Sequence, residues 1–343
     1  MSAPKTMLQR FTILVSMLLV CVALSAVFSM PAEGASKVKI RIAHDNTFDP
    51  NDAYNQMALR FKEIIEKNSN QRFEVTIFAK SYGAEREQLE AVQIGTCDMV
   101  VATNAFVGSF APPAFAMDMP FLFPNMDVAN EVQSSPAARA VLDALEEYGF
   151  KGLAFGTIGF RHLIVNKPIN TIGDCKGLKI RVIENQLYIK TYDAIGVLAT
   201  PLPFGEVVSG VQQNLIDGLD QPTIPTYTNQ LFRVCKYAAR INGLFNACIL
   251  VCNLDFFNAL SPEDQVLVME SAEEAARIQR KFATDLEASV EKDLIGLGMT
   301  FTEVTDRTPF QNAVQGIYKE YEPRIGGTLL QDLRKAIDEA SSK

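Results

Sequence analysis

Tryptophan is absent from the 343 residues, and histidine occurs only twice, as His44 and His162. So thin a supply of imidazole leaves little from which to build a tetrahedral zinc site, and little choice of general base. Clustered cations are missing too. There are 32 Lys and Arg against 40 Asp and Glu, a formal net charge of -8, and no block of basic residues. A nucleic-acid surface needs such a block to displace counterions, so no nucleic-acid partner is expected. Nor does the chain contain a Walker A loop, a G-x-G-x-x-G after the first apolar strand, an H-E-x-x-H or a G-x-S-x-G. Paired acids such as Glu146-Glu147 and Glu273-Glu274 fall on helix faces and read as solvated surface. The expectation is a non-enzyme with no catalytic residue, no cofactor and no metal.

Long apolar runs are confined to one place. Lys5 and Arg10 precede an apolar stretch from Phe11 to Val27, and small residues with Pro31 follow it through Ala35. A positive head, an apolar middle and a small-residue exit describe a secretory signal peptide, here assigned to 1–35. Two alternatives stay open: a retained anchor, since Phe11 to Met30 could just span a bilayer, and a lipoprotein acylated at Cys21. Val20 stands where acylation signals want a small residue. Nothing later reaches spanning length, so no stable membrane insertion is expected once the leader is gone. Five cysteines remain beyond it, Cys97, Cys175, Cys235, Cys248 and Cys252. An odd count in an oxidising compartment implies at least one free thiol or an intermolecular bond. With 48% hydrophobic residues the chain can build a core without staples; buried thiols are the expectation and a single disulfide the alternative.

What is present alternates strand and helix. Val38 to Ala43 reads as a strand, and Tyr54, Met57, Ala58, Phe61, Ile64 and Ile65 follow helical spacing behind a cap at Asn51 or Asp52. Phe73 to Phe78 is a second strand, Ala84 to Ile94 a helix, and Asp98 to Ala102 a third strand apolar enough to be covered on both faces. Such a β-α-β-α-β run predicts a parallel sheet coated by helices. A second unit starts near Gly159, with strands at Leu163–Val165, Leu178–Ile183 and Val197–Leu202, a helix over Gly205–Asn214, and a return to a buried strand at Ala247–Leu254. Ser261-Pro262-Glu263-Asp264 is a strong helix start, and the pattern then runs to about Leu297 without proline. A helix that long exceeds one small domain and must lie across two. Two α/β units joined more than once leave a cleft between them, where such folds bind ligands.

One strand stands out. In Gly177-Leu178-Lys179-Ile180-Arg181-Val182 the apolar residues alternate with Lys179 and Arg181, which places both cations on one face. Either that face is solvated, or Arg181 is aimed into the cleft, where its planar fork would match a carboxylate. This segment, then Pro201-Leu202-Pro203-Phe204-Gly205-Glu206-Val207, then Gln212-Gln213-Asn214-Leu215-Ile216-Asp217-Gly218, with Leu89 to Asp98 and Met119-Pro120-Phe121 upstream, resembles the solute-binding proteins of tripartite ATP-independent periplasmic (TRAP) transporters, the C4-dicarboxylate-binding (DctP) type. The likeness covers nearly the whole chain beyond the leader.

The resemblance implies an α/β fold of two lobes with a ligand cleft between them, like periplasmic binding proteins, and a long helix spanning both. It divides the chain into a first lobe of 36–158 plus 244–260, a second of 159–243 plus 298–343, and the helix of 261–297. By the family's pattern, Arg181 pairs with the ligand carboxylate, Arg161 is a second arginine of the site, and Phe204 lines the pocket. The usual Glu-Asn-Pro is replaced by Asp220-Gln221-Pro222, so Gln221 keeps an amide on a longer stem, and the frequent Asn-His appears as Asn242-Gly243. By position, His44, Asp45, Thr103 and Asn104 face the cleft from the first lobe. The implied function is a periplasmic receptor that closes around a small organic acid and delivers it to the membrane permease subunits of a TRAP transporter; the alternative is a sensory receptor that feeds a signalling protein.

Overall fold

Buried Ile40 and Ile42 alternate along Val38–His44 to make β1, and the computed structural model describes the chain from residue 37 to residue 343. The leader assigned to 1–35, with Cys21, lies outside the described residues. Helix α1 (Ala53–Asn68) follows. Asp52 caps it, its carboxylate accepting from the N–H groups of Tyr54 (3.0 Å) and Asn55 (2.9 Å). Met57, Ala58, Phe61 and Ile65 turn one face inward at helical spacing. Then come β2 (Phe73–Ala79), α2 (Glu85–Gln93), the wholly buried β3 (Met99–Thr103) and the short α3 (Asn104–Phe110). A 3₁₀ segment, Pro112–Asp118, leads to α4 (Met126–Val132) and α5 (Pro136–Asp143).

Strand β4 (Phe150–Phe160) is the longest, and its chain continues through Arg161 directly into β5 (His162–Val165). These two strands belong to different sheets. The first sheet runs β2-β1-β3-β10-β4, where β10 is Phe245–Asn253; β1 and β3 are parallel, while β10 is antiparallel to both neighbours. The second runs β11-β9-β5-β8-β6-β7, from β6 (Lys179–Val182), β7 (Leu198–Pro201), β8 (Gly218–Gln221), β9 (Tyr237–Arg240) and β11 (Thr300–Glu303). Helices α6 (Gln186–Ala194), α7 (Val207–Gln212) and α8 (Thr223–Thr228) fill the connections. The chain leaves the first sheet through Arg161 and returns through 241–244, and the two crossings are tied where the Arg161 N–H donates to the Leu244 carbonyl at 2.9 Å.

After α9 (Leu254–Asn258), the long helix α10 (Pro262–Gly296) begins with Ser261 as its cap and Pro262 in its first turn. Its 35 residues reach about 50 Å at 1.5 Å each. That length lets it pack on α1 and β4 of the first lobe and on α8 of the second. At β4 the contact is specific. Gln279, wholly buried, accepts from the Thr157 N–H (2.8 Å) and donates to the Thr157 carbonyl (2.7 Å), so one side chain occupies the open edge of the sheet as a further strand would. The register shift beside it leaves Ile158 as the extra residue of a bulge. Gly156 has no side chain because a Cβ there would sit 2.6 Å from Gln279 Oε1 and 2.7 Å from Cys248 Sγ.

Residues 298–343 divide between the sheets. Strand β11 pairs with β9, whereas, beyond α11 (Thr308–Ala313), α12 (Gln315–Ile325) and α13 (Leu329–Ser341) return to pack on the Pro112–Asp118 segment and on α4 and α5. Of this segment, grouped by sequence with the second lobe, only β11 joins the second sheet, and α12 touches that lobe as well through the Lys190–Glu320 ion pair. The buried stripe of Leu330, Leu333 and Ile337 draws the tail back to the first lobe. All five described cysteines are free and buried. No described helix is long and apolar enough to cross a membrane.

Candidate functional site

Between the two sheets lies a cavity of about 250 Å³. The first sheet presents the residues that follow β1 and end β3, together with the starts of α1 and α2: Asp45, Asp52, Tyr54, Glu85, Thr103 and Phe106. The second presents Arg181 and Glu184 from β6 and beyond, Phe204, Gln221 from the end of β8, and Ile224, with Arg161 at the junction. Both sets sit at the carboxyl ends of strands, the place where open α/β sheets bind ligands.

Arg181 is 3% exposed, so the face of the strand that carries it is not solvated. Strand β6 lies between β8 and β7, and Arg181, near its carboxyl end, lines the cavity. Its Nε donates to the Leu202 carbonyl at 2.8 Å, and its guanidinium lies over the Phe204 ring at 5.5 Å. That bond fixes the stem and leaves the Nη end with no acidic partner among the described residues. Burial pulls Arg181 down to about 10, against the charge of Asp220 and with that of Arg161, so it remains a cation at neutral pH.

Arg161, by contrast, is already matched. Its Nε donates to the Asp220 carboxylate, and its Nη2 donates to the Asp220 carbonyl (2.7 Å) and to Gln221 Oε1 (3.1 Å). Its guanidinium also lies 5.4 Å from the centre of the Tyr188 ring. The two substituted positions, Asp220 and Gln221, are thus the ones that hold Arg161 in place.

Four of the eight sequence-derived residues, Arg181, Arg161, Phe204 and Gln221, line the cavity from the second lobe and the junction; Asp45 and Thr103 line it from the first. His44 and Asn104 do not. His44 is buried; its Nδ1 accepts from the Asn46 N–H (3.3 Å) and its ring meets Phe48 edge-on, and burial lowers it to about 4, so it is neutral. Asn104 donates to the Ala114 carbonyl (2.8 Å) and to Asp118 (2.6 Å). Asp118 in turn accepts from the Tyr188 hydroxyl (3.3 Å), which makes Asn104 one end of a buried polar chain from the first lobe to α6 of the second.

Nothing in the sequence singled out Glu85, Tyr54 or Asn246. Glu85 Oε1 accepts from the Thr103 N–H (2.5 Å) and the Tyr54 hydroxyl (3.1 Å), and that hydroxyl also contacts Thr103 Oγ1. Burial, with the charge of Asp45 adding to it, pushes Glu85 up to about 7; burial likewise raises Asp45 to about 6 and Asp52 to about 7. Asn246, in β10 two residues before the partner of Thr103, is 3% exposed, faces the same cavity, and has an Oδ1 without a hydrogen-bond partner among the described residues. An acid at the first position of a helix reads as a complement to the helix dipole, which is why Glu85 carried no signal of its own.

Against known proteins, residues 44–324 match the family model described as bacterial extracellular solute-binding protein, family 7. A solute-binding protein of Verminephrobacter eiseniae is 30% identical over 278 residues, 80% of this chain and 83% of that protein. The C4-dicarboxylate-binding periplasmic protein DctP of Rhodobacter capsulatus is 25% identical over 322 residues, 92% of this chain and 96% of its own. Two solved TRAP periplasmic solute-binding proteins superpose with TM-scores of 0.81. One, from Polaromonas sp. JS666 bound to D-erythronate, is 28% identical and covers 87% of this chain and 98% of that one. The other, from Pseudomonas putida F1 with bound D-glucuronate, is 27% identical and covers 88% and 97%.

Proposed function

Because this chain belongs to the bacterial extracellular solute-binding proteins of family 7, the non-enzymatic solute receptors of TRAP transporters, we propose that it captures a small organic acid in the periplasm, closes its lobes around it and delivers it to TRAP permease subunits in the membrane. The observation that carries this reading is Arg181. It is a buried cation at the cavity wall, its stem held by Leu202 and its Nη end without an ion pair among the described residues, while the nearby Asp220 pairs with Arg161 through Oδ2. A guanidinium so placed costs desolvation energy that a ligand carboxylate offsets through two parallel hydrogen bonds. D-erythronate and D-glucuronate, the ligands of the two superposed relatives, both carry one carboxylate. Closure strengthens the pair by excluding water, and it follows from ligand contacts that only the closed form makes with both lobes.

Titration calorimetry of the protein without its leader, against a panel of organic acids, tests the reading. At least one carboxylate should bind, and Arg181→Ala should weaken it by about 2–5 kcal/mol, a loss of roughly 30-fold or more. Arg181→Lys should recover only part, since an ammonium cannot reproduce the fork. Equal affinity in wild type and Arg181→Ala would refute the assignment of Arg181 as the carboxylate anchor.

A further inference from the structure

The cavity is not uniformly suited to acids. Opposite Arg181 the first lobe contributes Asp45, Asp52 and Glu85, and Glu87 stands beside them. Among the lining cations, Arg161 is matched by Asp220, and Arg86 is drawn to Glu90 (3.4 Å) and over the Phe110 ring (5.4 Å). Arg181 is left as the cation for a ligand. Glu85 is fixed through one oxygen only. Oε1 takes both the Thr103 N–H and the Tyr54 hydroxyl, while Oε2 has no donor among the described residues. Asn246 adds a second acceptor without a donor, from a side chain that is itself almost wholly buried. A held carboxylate and the buried Asn246 amide on one wall, with a held cation on the other, make a polar cavity with direction.

Resting on the carboxylate-receptor reading above, we propose that Glu85 and Asn246 form a second recognition pole in the same cavity, one that takes a hydrogen-bond donor on the ligand. The ligand is then an acid whose far end carries a hydroxyl or a protonated nitrogen, and an unsubstituted dicarboxylate is disfavoured because its second carboxylate meets the acidic wall. Like charges at close range inside a buried cleft are costly, and an acceptor facing an acceptor leaves both without a partner. Selection of this kind works mainly by rejection of the wrong end group.

Matched acids separate the possibilities. Succinate, 4-hydroxybutyrate and 4-aminobutyrate share a length and differ at one end; meso-tartrate and erythronate differ only in carboxylate against hydroxymethyl. Calorimetry at pH 8.5, where Glu85 is ionised and the amine still protonated, should find a donor-ended acid bound at least about tenfold tighter than its dicarboxylate counterpart. Which of the hydroxyl and the amine wins identifies the donor. In Glu85→Gln the amide Oε1 still accepts from Thr103 and Tyr54, while Nε2 turns the free position into a donor, so the gap should close to about threefold or invert. Dicarboxylates that bind as well as or better than their donor-ended counterparts, or a gap unchanged in Glu85→Gln, would overturn the second pole. Should they do so while still losing affinity in Arg181→Ala, only this inference fails. Binding of these acids that ignores Arg181→Ala, or no binding of any of them, defeats the carboxylate reading and this one with it.

Discussion

At the scale of single residues, the site is governed by which buried charges have partners. Arg161 is paired with Asp220 within the protein, whereas Arg181 and Glu85 line the cavity without an ion pair between them, which is why both are proposed as ligand contacts. The raised Glu85 carboxyl gives a test in the ligand-free protein. Its folded pKa of about 7 stands above the ordinary 4.5, so between those values the folded state holds a proton that the unfolded chain has released. Stability from this group is therefore present at low pH and is lost as pH rises toward 7. Melting curves from pH 5 to 8 should show wild type losing stability relative to Glu85→Gln across that range. The two histidines act in the opposite sense: His44, lowered to about 4, and His162, lowered to about 3, stay neutral when folded and favour unfolding as pH falls below 6.5. Both are common to the two proteins and cancel in the difference. A difference curve that is flat or slopes upward with pH would reject a raised Glu85. The same residue scale shows what the sequence could reveal. The place of Arg181 at the cavity was legible once the multi-segment resemblance chose between the two faces that alternation left open. His44 and Asn104 are neighbours of Asp45 and Thr103, which do line the cavity; where a strand ends, spacing alone does not say which of two adjacent side chains turns inward.

At the scale of elements, the strands that alternate or are wholly apolar were readable from composition, and their observed bounds, such as Met99–Thr103 and Phe245–Asn253, lie within a residue or two of those expected. The start of α10 was written in Ser261-Pro262-Glu263-Asp264. Strand β4 was not readable, although it links the lobes. Gly152, Gly156 and Gly159 interrupt its apolar pattern, and two of them are demanded by neighbours rather than by the strand: a Cβ at Gly152 would fall 2.7 Å from the Leu142 carbonyl oxygen, and one at Gly156 would strike Gln279. Long-range packing set those residues, and no local pattern records it. The joint between β4 and α10 should be correspondingly sensitive. Gln279→Ala strands a buried N–H and a buried carbonyl at Thr157, and chemical denaturation should show a loss of about 2–4 kcal/mol. A loss below about 1 kcal/mol would mean that water replaces the amide at that edge.

Taken as a whole molecule, two sheets are stitched by two adjacent strand crossings and braced by a helix that packs on both. The general plan of two α/β units and a bridging helix was legible, because each unit carries its own periodicity and the helix is too long for either. The return of α12 and α13 to the first lobe was not, since an amphipathic helix states that it has a buried face without stating what covers it. The five buried thiols carry a consequence for measurement. Cys97, Cys248 and Cys252 belong to the first lobe, and Cys175 and Cys235 to the second. Burial pushes Cys175 and Cys235 to about 12 and the others upward as well, so all five are inert until the surrounding lobe opens. The chain thus carries its own clocks. Under pulses of a thiol reagent in mild denaturant, peptide mapping should show the two groups reacting at separate rates if the lobes open independently, and at one rate if the crossings and the long helix make them a single cooperative body.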